Sequence, residues 1–426
     1  MHFGEDFLHY LWKHRLIKSN DLYTSCGQPI NIISVGIHNL DAGPDFENSK
    51  IKIADTLWAG NVEIHINSSD WEKHNHQYDD AYENVILHVV YKHDKELKRK
   101  DGTVMPVLEL LNLIPEEVLT KYRSLSENLN WIPCEKHLPR IDAFHIHSWL
   151  SRVLVERLEE KCQTVNKVLI EYKQSWDDAF YIMLARNFGF KINSLPFEML
   201  ARSLPQQILA RHKGNSLQIE ALIFGQAGFL SQEFIDEYPQ QLQKEYMFLK
   251  TKYSLQPVDR FLWKFLRMRP QNFPTLRLAQ FSALIVKSNH LFSRVIDIHS
   301  VPEIKEFFQN LPVNKYWETH FRFDVTSRVS SAQIGDQSIK NILINTVSLF
   351  LFAYGKNMNV PLNVNRAMEL LELVPAEENN ITNKYKDNGI KMSGAFTSQA
   401  VLQLKKSYCD KKKCLHCGIG TRLLNN

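Results

Sequence analysis

The spacing of apolar residues changes once along the chain, and this change restricts the possible folds more than any other feature of the sequence. Up to about residue 110, short runs rich in β-branched residues are separated by Gly, Asn and Asp turns, which predicts strands. From about residue 140 onward, apolar residues recur three and four positions apart, which predicts helices. The predicted strands are Ile30–Val35, Lys50–Ala54, Asn61–Ile66, Val85–Tyr91 and Val104–Leu110. The sequence therefore predicts an α+β protein.

Helices are also predicted around these strands. Residues 5–18 have an amphipathic pattern whose first turn carries Glu5 and Asp6, as helix N-termini favour. The polar stretch Ser68–Tyr82 could be a second helix. The predicted domains are an α/β domain over residues 1–130, a large mainly helical domain over residues 131–400, and a terminal cysteine module over residues 401–426.

Charge is distributed unevenly along the chain. The whole chain has a net charge of +4, from 51 Lys and Arg residues against 47 Asp and Glu residues. Residues 1–130 contain 13 basic and 20 acidic residues, so by subtraction residues 131–426 contain 38 and 27. The two parts therefore carry net charges of −7 and +11. This distribution fits a metal site beside a track for a polyanion, or two oppositely charged segments that attract each other.

Cysteine usage and the lack of long apolar runs indicate the compartment. Six cysteines are too few for a disulfide framework in a chain of 426 residues. The N-terminus lacks a basic segment followed by an apolar one, and no apolar run approaches the roughly 18 residues of a membrane span. We therefore expect a cytoplasmic protein with no membrane partner. The sequence does not indicate an oligomeric state.

The densest group of residues able to bind a metal lies in the predicted sheet. Asp45 follows Gly-Pro, and eighteen residues later Glu63 and His65 lie on a predicted strand. Because side chains alternate between the two faces of a strand, Glu63 and His65 share one face, while Val62 and Ile64 point into a core. One face of this strand therefore carries the candidate metal ligands, and the other face packs into the core.

A hairpin would bring the two acids together. If Lys50–Ala54 and Asn61–Ile66 pair through a turn near Asp55–Gly60, the carboxylates of Asp45 and Glu63 lie about one inter-strand spacing apart, roughly 4.8 Å. Two such carboxylates would bind Mg²⁺ or Mn²⁺, which activates water and offsets charge on a phosphate. Alternatively, Asp45 caps a turn and Glu63 is a solvated acid on a strand.

Three further histidines follow. On a helix, His74 and His76 would diverge, so both could face one metal only if the chain were locally extended. Each of the two has either a site role or a structural role. His88 lies in a predicted apolar strand, and we expect it to be a hydrogen-bonded core histidine.

The terminal cysteines form the sharpest local pattern. Cys409, Cys414 and Cys417 are spaced as in thiolate sites for Zn²⁺ or an iron–sulfur cluster, and neighbouring lysines favour the thiolate form. Such a site needs a fourth ligand: His416 is poorly placed beside Cys417, and Cys134 is a candidate distant in sequence. Alternatively, the three are ordinary reduced thiols near a helix end.

Basic and aromatic residues alternate between Trp263 and Arg277. Arg267, Arg269 and Arg277 could bind nucleic-acid phosphates, with Phe273 stacking on a base. Alternatively, the aromatic residues pack a helix–loop–helix whose arginines pair with neighbouring acids.

The segment around Asp45 and Glu63 resembles the PD-(D/E)xK nuclease superfamily, whose fold is restriction-endonuclease-like. The order in that superfamily is an acidic helix, a strand, an Asp after Pro, a Glu-x-Lys strand, a helix and another strand. Glu5, Asp45 and Glu63 match its three acidic positions. The sequence departs from the pattern at His65, where the superfamily usually has Lys. A Lys is charged at pH 7, whereas an unperturbed His is mostly neutral.

The resemblance also bears on the cysteines. Some iron–sulfur nucleases of this superfamily join one remote Cys to a terminal trio, which implies Cys134 as the fourth ligand.

The chain also resembles an uncharacterised bacterial family, domain of unknown function 2851, over nearly its whole length. The matching segments are Asp41–Phe46, Trp58–His65, Ser68–Trp71, Glu220–Leu230, Arg267–Gln280 and Tyr408–Gly420. This second resemblance implies no activity.

These features predict a metal-dependent phosphodiesterase acting on DNA or RNA. Asp45 and Glu63 would bind Mg²⁺ or Mn²⁺, Glu5 would support them, and His65 would position water. The alternative is a non-catalytic nucleic-acid-binding or scaffold protein on a degenerate nuclease fold, in which His65 marks lost catalysis. In both cases a restriction-endonuclease-like α/β domain precedes a large, mainly helical domain.

Overall fold

The structure is a computed structural model that describes residues 3–18, 21–288, 290–298, 300–328 and 331–425. The chain forms two compact units, one made of Met1–Trp149 with Leu404–Asn426 and the other of Leu150–Gln403. The terminal segment Leu404–Asn426 thus belongs to the same compact unit as the N-terminal residues, and a cysteine module over residues 401–426 stays a prediction. The hydroxyl of Tyr10 donates to Asn425 Oδ1 at 2.8 Å within this unit.

The first unit is built on one seven-stranded sheet. Its strands are β1 (Leu22–Tyr23), β2 (Pro29–Ser34), β3 (Ile37–His38), β4 (Phe46–Ile53), β5 (Thr56–Asn67), β6 (Val85–Lys92) and β7 (Val107–Glu109). They lie in the order β1-β2-β4-β5-β6-β7, and β3 pairs with β4. The neighbours β2, β4 and β5 are antiparallel, whereas β5, β6 and β7 are parallel. The prediction of a sheet-rich N-terminal region is confirmed.

β4 and β5 form a hairpin whose turn is shorter than the sequence predicts. Ile53 pairs with Thr56, so only Ala54 and Asp55 connect the strands. Ala54 has φ +50°, a left-handed conformation that tight hairpin turns require. Leu57–Gly60, expected in the turn, continues the strand pairing instead.

The helices of the chain are α1 (Glu5–Lys13), α2 (Asp70–Lys73), α3 (Glu116–Ser126), α4 (Ala143–Glu171), α5 (Trp176–Phe188), α6 (Ser194–Ser203), α7 (Gln206–Arg211), α8 (Ser216–Gln226), α9 (Glu237–Tyr253), α10 (Pro274–Lys287), α11 (Leu291–Asp297), α12 (Val301–Phe307), α13 (Asp336–Ile342), α14 (Ser348–Asn357), α15 (Pro361–Leu373), α16 (Asn380–Asp387), α17 (Ala395–Leu404) and α18 (Gly418–Asn425). Within the described residues of the second unit, the only strands are β8 (His320–Arg322) and β9 (Val325–Thr326). The prediction of a mainly helical region after the sheet is confirmed.

Two helices of the first unit are shorter than predicted. α1 ends at Lys13 rather than at residue 18, because Arg15 has a left-handed φ of +52°. The stretch Ser68–Tyr82 is α-helical only over α2. It continues as two 3₁₀ turns, His76–Tyr78 and Asp80–Tyr82.

Apolar packing holds α1 against the sheet. Phe7, Leu8 and Leu11 of α1 are buried in one core with Val62 and Ile64 of β5. Apolar burial stabilises by roughly 25 cal/mol per Å² removed from water, so this core fixes the helix over the strand. The polar residues of α1 therefore keep a fixed position relative to those of β5.

One helical stretch of the second unit is long and apolar enough to cross a membrane. This stretch is Asp336–Asn357, and most of it is buried inside the protein. Such burial is expected for a core helix of a soluble protein. The cytoplasmic location stays a prediction.

Candidate metal centre

Main-chain hydrogen bonds hold Asp45 and Glu63 together at the open end of the β4–β5 hairpin. Phe46 pairs with Val62, which makes Asp45 a neighbour of Glu63. The N–H of Asp45 donates to Glu63 Oε2 at 3.1 Å, and the N–H of Ile64 donates to Asp45 Oδ2 at 2.9 Å. The two acids that the sequence pairs across a hairpin therefore lie in contact.

The loop before β4 fixes the position of Asp45. Gly43 has φ +112°, a conformation that residues with a side chain rarely adopt. The side-chain amide of Asn39 donates to the carbonyl oxygens of Ala42 and Pro44 at 3.3 and 3.2 Å. These contacts shape the turn from which Asp45 enters the sheet.

Two imidazoles contact the side chain of Glu63, and a third imidazole contacts one of these two. One ring nitrogen from each of His65, His74 and His76 lies within 4.8 Å of the other two. Glu63 Oε1 is 3.4 Å from His65 Nε2 and 3.3 Å from His76 Nε2. His65 Nε2 is in turn 3.0 Å from His74 Nδ1. A buried carboxylate and three imidazoles therefore converge on one small region.

A left-handed residue brings His74 and His76 to the same place. On a continuous helix their side chains would diverge, as expected from the sequence. α2 instead ends at Lys73, and Asn75 has φ +62°. Asn tolerates this conformation better than most residues with a side chain. The chain therefore reverses at Asn75, and both imidazoles lie against His65.

The second nitrogen of His65 contacts His88 on β6. His65 Nδ1 is 2.9 Å from His88 Nε2, and His88 is fully buried. The prediction of a hydrogen-bonded core histidine is therefore confirmed for His88. Metal-binding histidines usually form a hydrogen bond through the nitrogen that does not bind the metal, because this bond fixes the ring and its tautomer. His88 is placed to do this for His65.

α1 contributes two groups on the other side of Asp45. His9 Nε2 is 3.2 Å from Asp45 Oδ2. Glu5 hydrogen-bonds to the main chain of Ile66 and lies close enough to His74 for an electrostatic interaction. The structure therefore brings together all four residues predicted for this site: Glu5, Asp45, Glu63 and His65.

Burial controls the protonation of the cluster. Burial, followed by the charges of the neighbouring histidines, lowers the pKa of His65 to about 2. Burial likewise lowers the pKa of His88 to about 3, and it raises the pKa of Glu63. Burial is the largest single effect on His9 and lowers its pKa, but the neighbouring carboxylate of Asp45 and the charges of Glu5 and Asp6 together outweigh it, so the pKa of His9 is raised. His65 is therefore held neutral, which is the form that binds a metal.

The donor set fits a divalent transition metal. His9 Nε2 and His76 Nε2 are buried without a hydrogen-bond partner in the described part of the chain, although each lies beside a carboxylate. The nitrogen–oxygen distances of 3.2–3.4 Å resemble those between two ligands of one ion. Ligands bound at 2.0–2.2 Å are roughly 3.0–3.4 Å apart. Imidazoles suit Zn²⁺ better than Mg²⁺, which prefers oxygen ligands, and the carboxylates of the cluster also suit Mn²⁺.

His9 is not predicted from the sequence, although a signal exists. It lies four residues after Glu5, so the two share one face of the predicted helix. For His74 and His76, the signal is Asn75 between them, because Asn is the residue with a side chain that most readily ends a helix in this way. The spacing of apolar residues alone does not predict that the chain reverses direction at Asn75.

The terminal cysteines lie near Cys134. Burial, followed by the thiols of Cys409, Cys417 and Cys414, raises the pKa of Cys134 well above its usual value. Cys409 ends a π-helical stretch, Lys405–Cys409, and the N–H of Cys417 donates to the carbonyl of Cys414 at 3.2 Å. All four cysteines are free thiols. The trio and its distant candidate partner therefore occupy one region of the first unit.

The three arginines predicted to bind nucleic acid differ in their exposure. Arg267 and Arg269 are exposed, but Arg277 is only 4% exposed. The ring of Phe273, expected to stack on a base, lies 4.9 Å from the guanidinium carbon of Arg322. A cation therefore already covers that ring, and nucleic-acid binding by Arg267, Arg269 and Arg277 stays a prediction.

Residues 5–380 match the model of the family described as Protein of unknown function (DUF2851). No curated protein and no solved structure matches the chain. The matched region contains every residue of the His and carboxylate cluster, and it ends before the terminal cysteines.

Proposed function

We propose that this protein, which belongs to the DUF2851 family, is a metal-dependent phosphodiesterase that cleaves DNA or RNA. One observation supports this most: Asp45 and Glu63 orient each other, and Glu63 contacts two imidazoles of a group of three. Phosphodiester hydrolysis needs positive charge near the phosphate and an activated water. The cluster offers the ligands for an ion that would supply both.

The residues of the cluster have distinct roles in this proposal. Glu63 Oε1 and the imidazoles of His65, His74 and His76 hold the ion. Asp45 adds a carboxylate next to Glu63, with its orientation fixed by the main chain. A bound Mn²⁺ or Zn²⁺ would act as a Lewis acid and lower the pKa of a water molecule. His65 is a ligand rather than the residue that positions water, because both of its nitrogens already face other members of the cluster.

The order of elements agrees with the one implied by the resemblance to PD-(D/E)xK nucleases. An acidic helix carries Glu5, Asp45 follows Pro44, and Glu63 lies on the next strand, β5. α2 and β6 follow. A restriction-endonuclease-like fold for the first unit is therefore part of this proposal.

A pocket beside the cluster offers room for a phosphate. It has a volume of about 290 Å³, and its lining includes His76, Tyr82, Lys98 and Arg99. Acidic residues of the neighbouring loops also line it. Cationic side chains next to a metal would attract the backbone of a nucleic acid. Cations beside the metal ligands support a phosphate-bearing substrate in this proposal.

One observation favours the rival function, a non-catalytic nucleic-acid-binding or scaffold protein. His65 stands where the superfamily usually has Lys, and burial keeps its imidazole neutral. Residue 65 therefore supplies no positive charge to a phosphate. Any catalysis would depend on the bound metal alone, and without a metal the protein could only bind nucleic acid or act as a scaffold.

The proposal also includes a second metal site. Cys134, Cys409, Cys414 and Cys417 would bind Zn²⁺ or an iron–sulfur cluster, since four thiolates are the ligand set of both. This site has a structural role in the proposal, because it ties the terminal segment to the N-terminal unit.

A cleavage assay tests the enzymatic proposal. Purified protein with Mn²⁺ is incubated with labelled single-stranded DNA, double-stranded DNA and RNA. The wild type should cleave at least one of them, and Glu63→Gln and Asp45→Asn should each lower the rate by at least about 100-fold. Glu47→Gln, an exposed acid on β4, is the matched control and should retain activity. Equal rates in the wild type and Glu63→Gln would refute the proposal, and salt-sensitive binding without cleavage would favour the scaffold.

A further inference from the structure

A polar cavity in the second unit contains a buried arginine without an acidic partner. The cavity has a volume of about 520 Å³, within the range of small-molecule sites. Arg277 of α10 lines it and is 4% exposed. Among the described residues, no carboxylate lies within ion-pair distance of its guanidinium, and its hydrogen-bond partners are all neutral.

These neutral partners hold the guanidinium in one position. Nη1 donates to Gln280 Oε1 at 2.9 Å, and Nη2 donates to Asn272 Oδ1 at 2.6 Å and to Ser338 Oγ at 2.8 Å. The guanidinium carbon lies 4.6 Å from the ring centre of Phe190. An arginine has five N–H donors, so these contacts leave two unused, and Nε is one of them.

An unpaired buried charge is unfavourable, so its presence needs a reason. Removing an ion from water is costly unless an opposite charge offsets the lost hydration. Burial accordingly lowers the pKa of Arg277 to about 10, with no nearby acid to raise it. A neutral residue would fill the same space without this cost, and an anionic ligand would remove it.

The rest of the lining is rich in amides, and its two cations are balanced by two acids. Arg269 is exposed and Lys340 is partly buried, and both line the cavity with Arg277. Two acids, Glu377 and Glu378, also line it, but Glu377 already accepts hydrogen bonds from neighbouring amides. The amide side chains of the lining are Gln271, Asn272, Gln280, Gln333, Gln337 and Asn341. Amides can both donate to and accept from the hydroxyl and ring groups of a ligand.

We propose that this cavity binds a phosphorylated small molecule of about nucleotide size, with its phosphate against Arg277 and Arg269. The two unused N–H groups of Arg277 and the guanidinium of Arg269 would donate charge-assisted hydrogen bonds to the phosphate oxygens. The amides would contact the remainder of the ligand, since the cavity is larger than a phosphate group. A nucleic-acid duplex is not the occupant, because Arg277 lies inside the cavity. The site is independent of the metal centre and of the function proposed for it.

Calorimetric titration with AMP, ribose 5-phosphate and inorganic phosphate tests the proposal. At least one of the three should bind saturably to the full-length wild-type protein. Arg277→Gln and Arg269→Ala should each weaken that binding by at least about tenfold, because each removes a charge-assisted hydrogen bond. Arg267→Ala is the matched control: it removes an exposed arginine of the same segment that does not line the cavity, and binding should be unchanged.

Arg269→Ala keeps the test valid even if Arg277→Gln does not fold, since the side chain of Arg269 is exposed. Absence of saturable binding for all three phosphates would overturn the proposal. Equal affinities in the wild type and Arg269→Ala would also overturn it. Binding of a single-stranded oligonucleotide, but of none of the three small phosphates, would assign this cavity to a polymer instead and would overturn it as well.

Discussion

The main-chain N–H of Asp45 donates to the carboxylate of Glu63 at 3.1 Å, while the carboxylate of Asp45 accepts from the N–H of the residue after Glu63 at 2.9 Å. Each acid is thus oriented by the strand that carries the other. Glu63 Oε2 is used in this contact, which leaves Oε1 facing His65 and His76. Because the main chain sets this arrangement, the ligands are preorganised before any ion binds.

His65→Lys separates two roles for His65. We expect Mn²⁺ affinity to fall at least about tenfold, and cleavage with it, because a protonated Lys has no lone pair for a metal. Calorimetry measures the affinity. His14→Lys makes the same chemical change at an exposed position of the first unit and should bind Mn²⁺ like the wild type. Unchanged or faster cleavage by His65→Lys would contradict this. It would show that His65 has the role of the Lys that PD-(D/E)xK nucleases usually have at this position.

The cysteine site is tested by metal analysis of protein purified without oxygen or chelator. We expect near-stoichiometric zinc or iron, and Cys→Ser at positions 134, 409, 414 and 417 should each lower it. An iron–sulfur cluster would be brown and sensitive to reduction, whereas zinc is colourless. Cys26→Ser, at an exposed cysteine, is the control and should leave the metal content unchanged. Full metal content in Cys134→Ser would remove Cys134 from the site.

Stability should depend on pH through Glu220, which lies in the second unit far from the metal ligands in sequence. Glu220 is 3% exposed, and burial raises its pKa from 4.5 to about 7 despite hydrogen bonds from Tyr238 and Asn314. Between these values the folded state binds more protons than the unfolded state, so the free energy of unfolding falls as pH rises. At roughly 1.4 kcal/mol per pH unit, the loss is about 3 kcal/mol by pH 8.

Urea unfolding at pH 5 and pH 8 measures this effect. Glu220→Gln should lose less stability than the wild type over this range, since the neutral amide does not ionise. The difference between the two proteins should appear above about pH 5 and be complete above about pH 7. Parallel stability curves for the two proteins would show that Glu220 is not protonated in the folded state.

Much of the first unit can be predicted from local sequence patterns. Alternation along residues 62–65 places the charged and apolar side chains correctly, because strand geometry requires a period of two. The pairing of Asp45 with Glu63 also follows, since two strands with a short connection form a hairpin. The length of the turn does not follow, because it depends on Ala54 adopting a left-handed conformation that its residue type does not signal.

The complete ligand set cannot be read from the sequence because it depends on tertiary placement. His9 joins the site only because apolar burial fixes α1 over β5. His74 and His76 join it through one backbone reversal at Asn75. The burial of Arg277 is likewise a property of the packed helices, since its sequence neighbours Arg267 and Arg269 are exposed.

Direct binding of Mn²⁺ tests the central claim, that Glu63 and the surrounding imidazoles form a metal centre. Metal-free protein is titrated with Mn²⁺ by calorimetry, and Glu63→Gln is compared with the wild type and with the exposed control Glu47→Gln. The account predicts saturable binding to the wild type and the control, and a loss of at least about tenfold in affinity for Glu63→Gln. Equal Mn²⁺ affinity in the wild type and Glu63→Gln, or no binding to the wild type, would contradict it.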